Sequence, residues 1–290
     1  MADVRVTEFT DPGCPWAYSA EPTRRRLEWL YAGQLEWESR MVVLADSPDE
    51  YLERGFTPER QADAFRRIAR EHGMPIDSST RPRMAATRPA CRAVVAARLN
   101  EPAAARPLLR CLRVHNFAGD ALLDEPHMLE LAAAGAGLDA RELERWMSSS
   151  RVEEALEEDT RAARRPMPAA RVLDHKLANW SGGRRYTCPT YEITRVADGI
   201  TIVVPGFQPF AVYDVVLANL VPHTERRAPA QDAEEVLNWS PGPLATREVA
   251  VVADLDHEEA REQLGHVAVE RHVGADGFWS LSSAGALPDQ

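Results

Sequence analysis

The sequence predicts an α/β protein in which a long all-helical block separates a β–α–β unit from a later β–β–α unit. The first 45 residues contain two β-rich runs with a helical segment between them. Residues 46–169 then lose those runs and become rich in Ala, Leu, Arg and Glu. A second pair of β-rich runs follows the block and leads into another helix. The β–α–β unit favours a parallel strand pair with a right-handed crossover.

Composition limits the classes of function that fit this chain. With 290 residues, 44% hydrophobic and 27% charged, it has the make-up of a soluble globular protein with more than one domain. A formal net charge of −11 argues against a nucleic-acid or anionic-membrane partner. No apolar run is long enough to span a membrane, and the start MADVRVTEF lacks the features of a signal peptide. We therefore expect a cytoplasmic protein, whose thiols are kept reduced.

The segment Val4–Tyr31 carries the strongest chemical signal in the sequence. A β-rich run leads into the breaker cluster Asp11-Pro12-Gly13, and Cys14-Pro15-Trp16-Ala17 then opens a helix. Pro15 suits a first helical turn, so the sulfur of Cys14 is expected at a helix N-terminus. The free N–H groups there stabilise a thiolate, which predicts a nucleophilic cysteine. The alternative is an ordinary, half-buried cysteine.

A second strand and the helical block are expected next. After the stop signal Gly33, Leu35–Glu38 alternates and Met41–Leu44 is apolar, which together indicate a strand. Several of the following helices open with Pro at the first turn or Asp as the N-cap. The expected helices are Thr57–Gly73, Pro89–Leu99, Pro107–Phe117, Pro126–Ala134, Asp139–Met147 and Val152–Arg164. Cys91 and Cys111 lie within this block and are expected to be core residues.

The chain then returns to β-rich character. A polar connection, Ala169–Arg185, precedes a strand expected over Tyr186–Ile193, with Cys188-Pro189 near its start. Asp198-Gly199 is typical of a hairpin turn and Ile200–Val204 of the partner strand. Pro209 opens the helix that completes the β–β–α unit, whose apolar positions recur with helical spacing up to Leu220.

This arrangement resembles the thioredoxin fold, specifically its DsbA-like branch, in which a helical domain is inserted. The resemblance spans residues 4–222 and is carried by Asp11–Ala17, by Thr187–Thr190 and by the terminal β–β–α unit. It is similar to FrnE-type cytoplasmic DsbA family oxidoreductases and, more distantly, to kappa-class glutathione transferases and 2-hydroxychromene-2-carboxylate isomerases. The resemblance implies a thioredoxin-like domain formed by residues 1–45 and 170–222, with residues 46–169 inserted.

The same resemblance implies the site. Cys14 would be the nucleophile of a thiol–disulfide oxidoreductase, and Pro189 a cis-proline facing it. Pro15 and Trp16 would shape its surroundings and contact substrate, together with Thr187 and Pro189. The substrate would be a thiol or disulfide, either a small molecule or a protein. No bound metal or cofactor is expected, since the four cysteines at positions 14, 91, 111 and 188 lack metal-type spacing, and a homodimer stays open.

One departure from the family pattern leaves the mechanism open. Dithiol relatives carry a second cysteine where this chain has Ala17. Cys14 could act as a monothiol resolved by glutathione or mycothiol as co-substrate, or Cys188 could serve as the resolving cysteine. Two further alternatives are a glutathione- or mycothiol-dependent transferase or isomerase, and a degenerate, non-catalytic binding protein.

Residues 223–290 are expected to form a separate C-terminal module. A polar linker precedes helices at Asp232–Trp239 and Thr246–Ala253, another helix capped by Asp256, and a hairpin of Val267–Val273 and Phe278–Leu281. This order is typical of a winged helix, which suggests DNA binding. However, the chain from residue 221 onward carries 5 Lys and Arg against 13 Asp and Glu. That charge would repel phosphates, so a packing, dimerisation or lid module fits better.

Overall fold

The computed structural model describes residues 2–281, which form one mixed sheet flanked by helices, a short hairpin and a C-terminal sheet. The last nine residues of the predicted C-terminal module, 282–290, lie outside the described range. In chain order the strands of that range are β1 (Val4–Thr10), β2 (Leu35–Met41), β3 (Ala178–Trp180), β4 (Gly183–Arg185), β5 (Thr190–Arg195), β6 (Thr201–Pro205), β7 (Leu244–Ala245), β8 (Ala268–Val273) and β9 (Asp276–Leu281).

The helices fall into three groups along the described chain. Two follow β1, namely α1 (Pro15–Ser19) and α2 (Glu21–Leu30). The insert contains α3 (Pro48–Glu53), α4 (Pro58–His72), α5 (Arg88–Asn100), α6 (Pro102–Ala118), α7 (Pro126–Gly135), α8 (Ala140–Met147) and α9 (Ser150–Ala163), and α10 (Pro168–Val172) follows in the connection after it. The remaining helices are α11 (Phe210–Leu220), α12 (Ala233–Trp239), α13 (Thr246–Ala253) and α14 (His257–Val267). No helix within residues 2–281 has the length and apolar character needed to cross a bilayer.

The central sheet has the strand order β2–β1–β5–β6 and places β1 in its interior. β1 runs parallel to β2, which confirms the predicted parallel pair. β5 is antiparallel to both β1 and β6. Because β1 is an inner strand, its side chains are buried on both faces, among them Val4, Val6 and Phe9. The loop after β1 therefore begins at a strand that is fixed inside the sheet.

The helical segment after Cys14 differs from the single helix that the sequence predicts. It divides at Ala20 into α1 and α2. Pro22 has no N–H to donate to the carbonyl of Tyr18, so the regular hydrogen-bond ladder cannot continue through this point. α1 is thus a short helix, separate from α2, and Cys14 is its N-cap residue.

The insert follows the predicted helices with two differences. α4 begins after Thr57, whose hydroxyl caps it, and α9 begins close to the predicted residue. α6 begins at Pro102 and runs through Pro107, which was expected to open it. Pro102 takes the first helical position, and burial of the leucines that follow Pro107 offsets the one backbone bond that this residue cannot make. The short α3 was missed because its sequence is polar.

The connection before Cys188 is more structured than the sequence predicts. It contains α10, a 3-10 turn at Asp174–Lys176, and the hairpin of β3 and β4. The strand expected from Tyr186 starts only at Thr190. Pro189 has no N–H to give to a ladder, so pairing begins with the residue after it.

The C-terminal module has the order helix, strand, helix, helix, strand, strand, and its sheet is ordered β7–β9–β8. Asp256 caps α14 by accepting from the Glu259 N–H at 2.8 Å, as predicted. Thr246 does not cap α13. Its hydroxyl instead donates to Asp276 at 2.6 Å, because the residue is fully buried and needs a partner inside the module.

The module packs on the rest of the chain through both apolar and charged contacts. Val249 and Val252 of α13 share one buried cluster with Leu27 and Trp29 of α2. The buried Glu248 carboxylate accepts from Arg110 of α6 at 2.5 Å. The module therefore contacts both α2 and the helical insert.

Candidate active site

The loop between β1 and α1 holds Cys14 in place by local bonds. Asp11 accepts from the Gly13 N–H at 2.7 Å through its side chain, and its carbonyl accepts from the Cys14 N–H at 3.1 Å. Cys14 is the N-cap residue of α1, and Pro15 fills the first helical position. The structure thus places the sulfur at a helix N-terminus, where the sequence predicts it.

Cys188 lies directly opposite Cys14. The Cys14 thiol donates to the Cys188 carbonyl at 3.2 Å, although the two residues are 174 positions apart. Both side chains are almost fully buried and form one small cluster with Ala17, against which Leu44 packs. The peptide bond between Cys188 and Pro189 is cis. Two thiols that are far apart in the sequence therefore share one buried site.

The two thiols have opposite acidities. Burial alone would raise the pKa of Cys14, but hydrogen bonds from the Cys188 side chain and from the N–H groups of Ala17 and Trp16 outweigh it. The pKa of Cys14 therefore lies below its ordinary value. Burial, together with the hydrogen bond to Cys14, holds the pKa of Cys188 well above the ordinary value. Cys14 is therefore the more acidic thiol of the pair.

A third cysteine lies closer to this site than the sequence suggests. Cys91 is fully buried in α5, as expected, but its thiol donates to the Asp11 carboxylate at 3.3 Å. Burial and the negative charge of Asp11 hold the pKa of Cys91 well above its ordinary value. Cys111, by contrast, is half-buried and packs near Gly135 within the insert. Sequence spacing gave no sign that Cys91 and Asp11 would meet.

The accessible edge of the site is aromatic. The Trp16 side chain stays 36% exposed, and its ring lies 5.1 Å from His72 and 6.2 Å from Phe207. Pro15 and Thr187 are half-buried, whereas Pro189 is buried. His72 and Phe207 were not predicted, because they come from the end of α4 and from the loop after β6. Contacts between such distant segments leave no local sequence pattern.

Two polar side chains lie near the cysteine cluster. Arg54, just after α3, donates to the Leu44 carbonyl at 2.9 Å, and Leu44 packs on the cysteine cluster. Tyr51 of α3 lies near the same cluster, and burial followed by the charges of Asp11 and Cys14 raises its pKa well above the ordinary value. The phenol is therefore neutral and able to donate a hydrogen bond.

A central mixed sheet, an inserted helical domain and a helix-capping cysteine beside a cis-proline together define a thioredoxin-fold protein of the DsbA-like type. The family model for the DSBA-like thioredoxin domain matches residues 5–167, and the chain belongs to that family.

Two known proteins illustrate the similarity. The ClpXP adapter protein SpxH of Halalkalibacterium halodurans is 28% identical over 279 residues, covering 93% of this chain and 84% of that protein. The cytosolic disulfide reductase DsbM of Pseudomonas aeruginosa superposes with a TM-score of 0.53 at 20% identity, covering 74% of this chain and 99% of DsbM. DsbM with GSH matches with a TM-score of 0.50 at 19% identity, covering 73% of this chain and 98% of that one.

Proposed function

We propose that this protein is a cytoplasmic thiol–disulfide oxidoreductase in which Cys14 is the nucleophile and Cys188 the resolving thiol. The observation that carries the proposal is the direct contact between the two residues, with the Cys14 sulfur 3.2 Å from the Cys188 carbonyl. Membership in the DSBA-like family supports the reaction class. Pro15, Trp16, Thr187 and Pro189 would form the contact surface for the substrate.

The first step would be attack of the Cys14 thiolate on a substrate disulfide. A bond forms between Cys14 and one substrate sulfur, the substrate disulfide breaks, and the other substrate sulfur leaves as a thiolate that takes a proton from water. The free N–H groups of α1 favour the attacking thiolate. Because Ala17 offers only a methyl group, no thiol of α1 can resolve this mixed disulfide.

The second step would use Cys188. Its thiol loses a proton and attacks the Cys14 sulfur, which releases the substrate as a thiol and leaves a Cys14–Cys188 disulfide. The substrate disulfide has then gained two electrons and the cysteine pair has lost two. Two molecules of a small thiol, such as glutathione or mycothiol, would restore the pair and leave as their own disulfide.

Mass spectrometry of the mildly oxidised full chain tests this proposal. We expect a peptide linkage between Cys14 and Cys188, and we expect Cys14→Ser to lose reductase activity toward a small disulfide. Cys111→Ser is the matched control, since it removes a cysteine outside the site. Unchanged reductase activity of Cys14→Ser would overturn the mechanism. Activity without the linkage would leave an external thiol as the resolving group.

A second candidate function is that of a binding protein without redox turnover. The SpxH relative, named as a ClpXP adapter, aligns along 93% of this chain, so most of the C-terminal module is included. In this case the winged-helix-like module and the thioredoxin-like part would present protein-binding surfaces. We would then expect the double variant Cys14→Ser/Cys188→Ser to bind purified ClpXP as tightly as the wild type. Loss of binding in that variant, or no binding by the wild type, would count against an adapter function independent of the thiols.

A transferase or isomerase acting on a small-thiol conjugate is the remaining enzyme alternative. The match to DsbM with GSH is compatible with a small thiol at the site but concerns the fold alone. Saturable glutathione or mycothiol binding to the wild type without net disulfide reduction would favour this alternative.

A further inference from the structure

Asp11 is a buried carboxylate at the centre of three chain segments. It is fully inaccessible, and its oxygens accept four hydrogen bonds. The donors are the Gly13 N–H at 2.7 Å, the Leu44 N–H at 2.8 Å, the Thr87 hydroxyl at 2.9 Å and the Cys91 thiol at 3.3 Å. These donors belong to the Cys14 loop, to the segment after β2, and to the start of α5. One side chain thus joins the nucleophile's loop to the inserted domain.

Close packing between Gly13 and Thr87 brings the Cys14 loop and the start of α5 together. Thr87 lies so close to the loop that a Cβ atom at position 13 would come within 2.7 Å of its methyl group, so only glycine fits. Thr87 also accepts from the Leu44 N–H at 3.1 Å and from the Ala45 N–H at 3.3 Å. The threonine therefore links Asp11 to the segment after β2 a second time.

Val43 provides independent support for the same junction. It adopts a φ of 55°, which is unfavourable for a β-branched residue. Such a conformation costs on the order of 1–3 kcal/mol and persists only where the surroundings impose it. Here it turns the chain so that the next N–H, that of Leu44, reaches the Asp11 carboxylate.

Burial lowers the pKa of Arg185, at the end of β4, and the charges of Cys188, Cys14 and Asp11 oppose that decrease. Burial raises the pKa of Asp11, and its hydrogen bonds from Gly13, Leu44, Thr87 and Cys91 oppose that increase. Within residues 2–281, no Lys, Arg or His forms an ion pair with it, and all four of its donors are neutral groups. Buried charges are usually paired, because desolvation penalises them heavily. Burial raises the pKa of Cys14, and the charge of Asp11 adds to that increase. For Cys188, the charge of Asp11 raises the pKa after burial, the hydrogen bond to Cys14 and the charge of Cys14.

We propose that Asp11 is a positioning residue for the cysteine pair: it clamps the Cys14 loop to the insert, and its carboxylate places a negative charge near both sulfurs. The charge opposes the helix N-terminus and limits how much of Cys14 is a thiolate. This inference deepens the proposed function and rests on Cys14 being the reactive thiol.

The test is the pH dependence of Cys14 alkylation by iodoacetamide, followed by mass spectrometry of the full chain. Asp11→Asn keeps an oxygen that can accept from Gly13 but removes the charge. We expect its alkylation midpoint to shift to lower pH than in the wild type. A merely structural role would loosen the loop and its thiolate-stabilising bonds, and would shift the midpoint upward. An unchanged or higher midpoint in a folded variant would overturn the proposal.

Thr87→Val is the matched control, since it removes one donor but keeps the carboxylate. Its midpoint should not fall, and a fall as large as in Asp11→Asn would overturn the charge argument. If Asp11→Asn does not fold, the ¹³C shift of the Asp11 carboxyl can be followed instead. Because the interaction is mutual, the ¹³C shift of Asp11 should change as Cys14 ionises in the wild type. This change should be absent in Cys14→Ser. No difference between these two proteins would overturn the proposal, whereas an unreactive wild-type Cys14 would overturn the proposed function itself.

Discussion

Arg113 is a buried cation that links the insert to the central sheet. It lies on α6 with 1% of its surface exposed, and its guanidinium donates to Glu8 at 3.0 Å. It also bonds to Glu21 of α2 and to Thr10 of β1. Glu21 keeps a second partner in Arg24, but within residues 2–281 Glu8 has no other cation in contact.

Arg113→Met keeps most of the side-chain volume and removes the charge. The Glu8 carboxylate, at 3% exposure, is then left without its cationic partner. Removing one partner of a buried ion pair costs about 3–5 kcal/mol, a large part of a typical stability of about 5–15 kcal/mol. We therefore expect a decrease of about 3–5 kcal/mol in the free energy of unfolding, measured by urea denaturation with circular dichroism.

Two further variants make this prediction refutable. In Arg113→Met/Glu8→Leu neither charge is left unpaired, so the double variant should be more stable than the single one. Arg145→Met is the matched control, because it breaks an ion pair with Glu142 on a side chain that is 72% exposed. It should cost less than about 1 kcal/mol. The reasoning fails if Arg113→Met is as mild as the control, or if the double variant is no better than the single one.

Three shorter predictions follow from the site and the insert. Near neutral pH, iodoacetamide should modify Cys14 well before Cys91, because their pKa values are shifted in opposite directions; equal rates by mass spectrometry would contradict this. Gly13→Ala should lower the free energy of unfolding, measured in urea, by about 1–3 kcal/mol, since its Cβ would meet the Thr87 methyl at 2.7 Å. No change would show that α5 moves easily to make room for the methyl group. Burial lowers the pKa of His115, so the unfolded chain binds the proton more readily and stability should fall below about pH 6.5. His115→Gln should reduce that loss between pH 7.5 and 5.5, and an identical loss in both proteins would exclude His115 as its source.

Features determined by neighbouring residues could be predicted from the sequence. Pro58 after Thr57, and Asp256 three residues before Glu259, mark helix starts that the structure contains. The position of Cys14 at a helix N-terminus is likewise a local property, set by Pro15 and the turn before it. The local signal at Pro107 was misleading, because Pro102 takes the first helical position and α6 continues through Pro107.

Features that depend on the meeting of distant segments could not be predicted in the same way. Cys91 looked like an ordinary core cysteine, and only the approach of α5 to the Cys14 loop brings its thiol to Asp11. His72 and Phe207 were equally hidden, although their rings lie 4.5 Å apart beside Trp16. The contact between Cys14 and Cys188 was anticipated only through the resemblance to a known fold. Periodicity and spacing alone contain no information on that distance.

The acidities of the two thiols determine how the proposed resolution step should depend on pH. Burial holds the pKa of Cys188 well above its ordinary value, so little of it is a thiolate near neutral pH. A mixed disulfide on Cys14 should therefore be resolved slowly at neutral pH and faster as the pH rises, if Cys188 is the attacking group. Stopped-flow decay of a coloured aryl mixed disulfide would measure this, without added thiol. Cys188→Ser should abolish the decay, and Cys111→Ser should leave it unchanged. A decay that persists in Cys188→Ser would assign resolution to another group, and the buried pair would then serve only to activate Cys14.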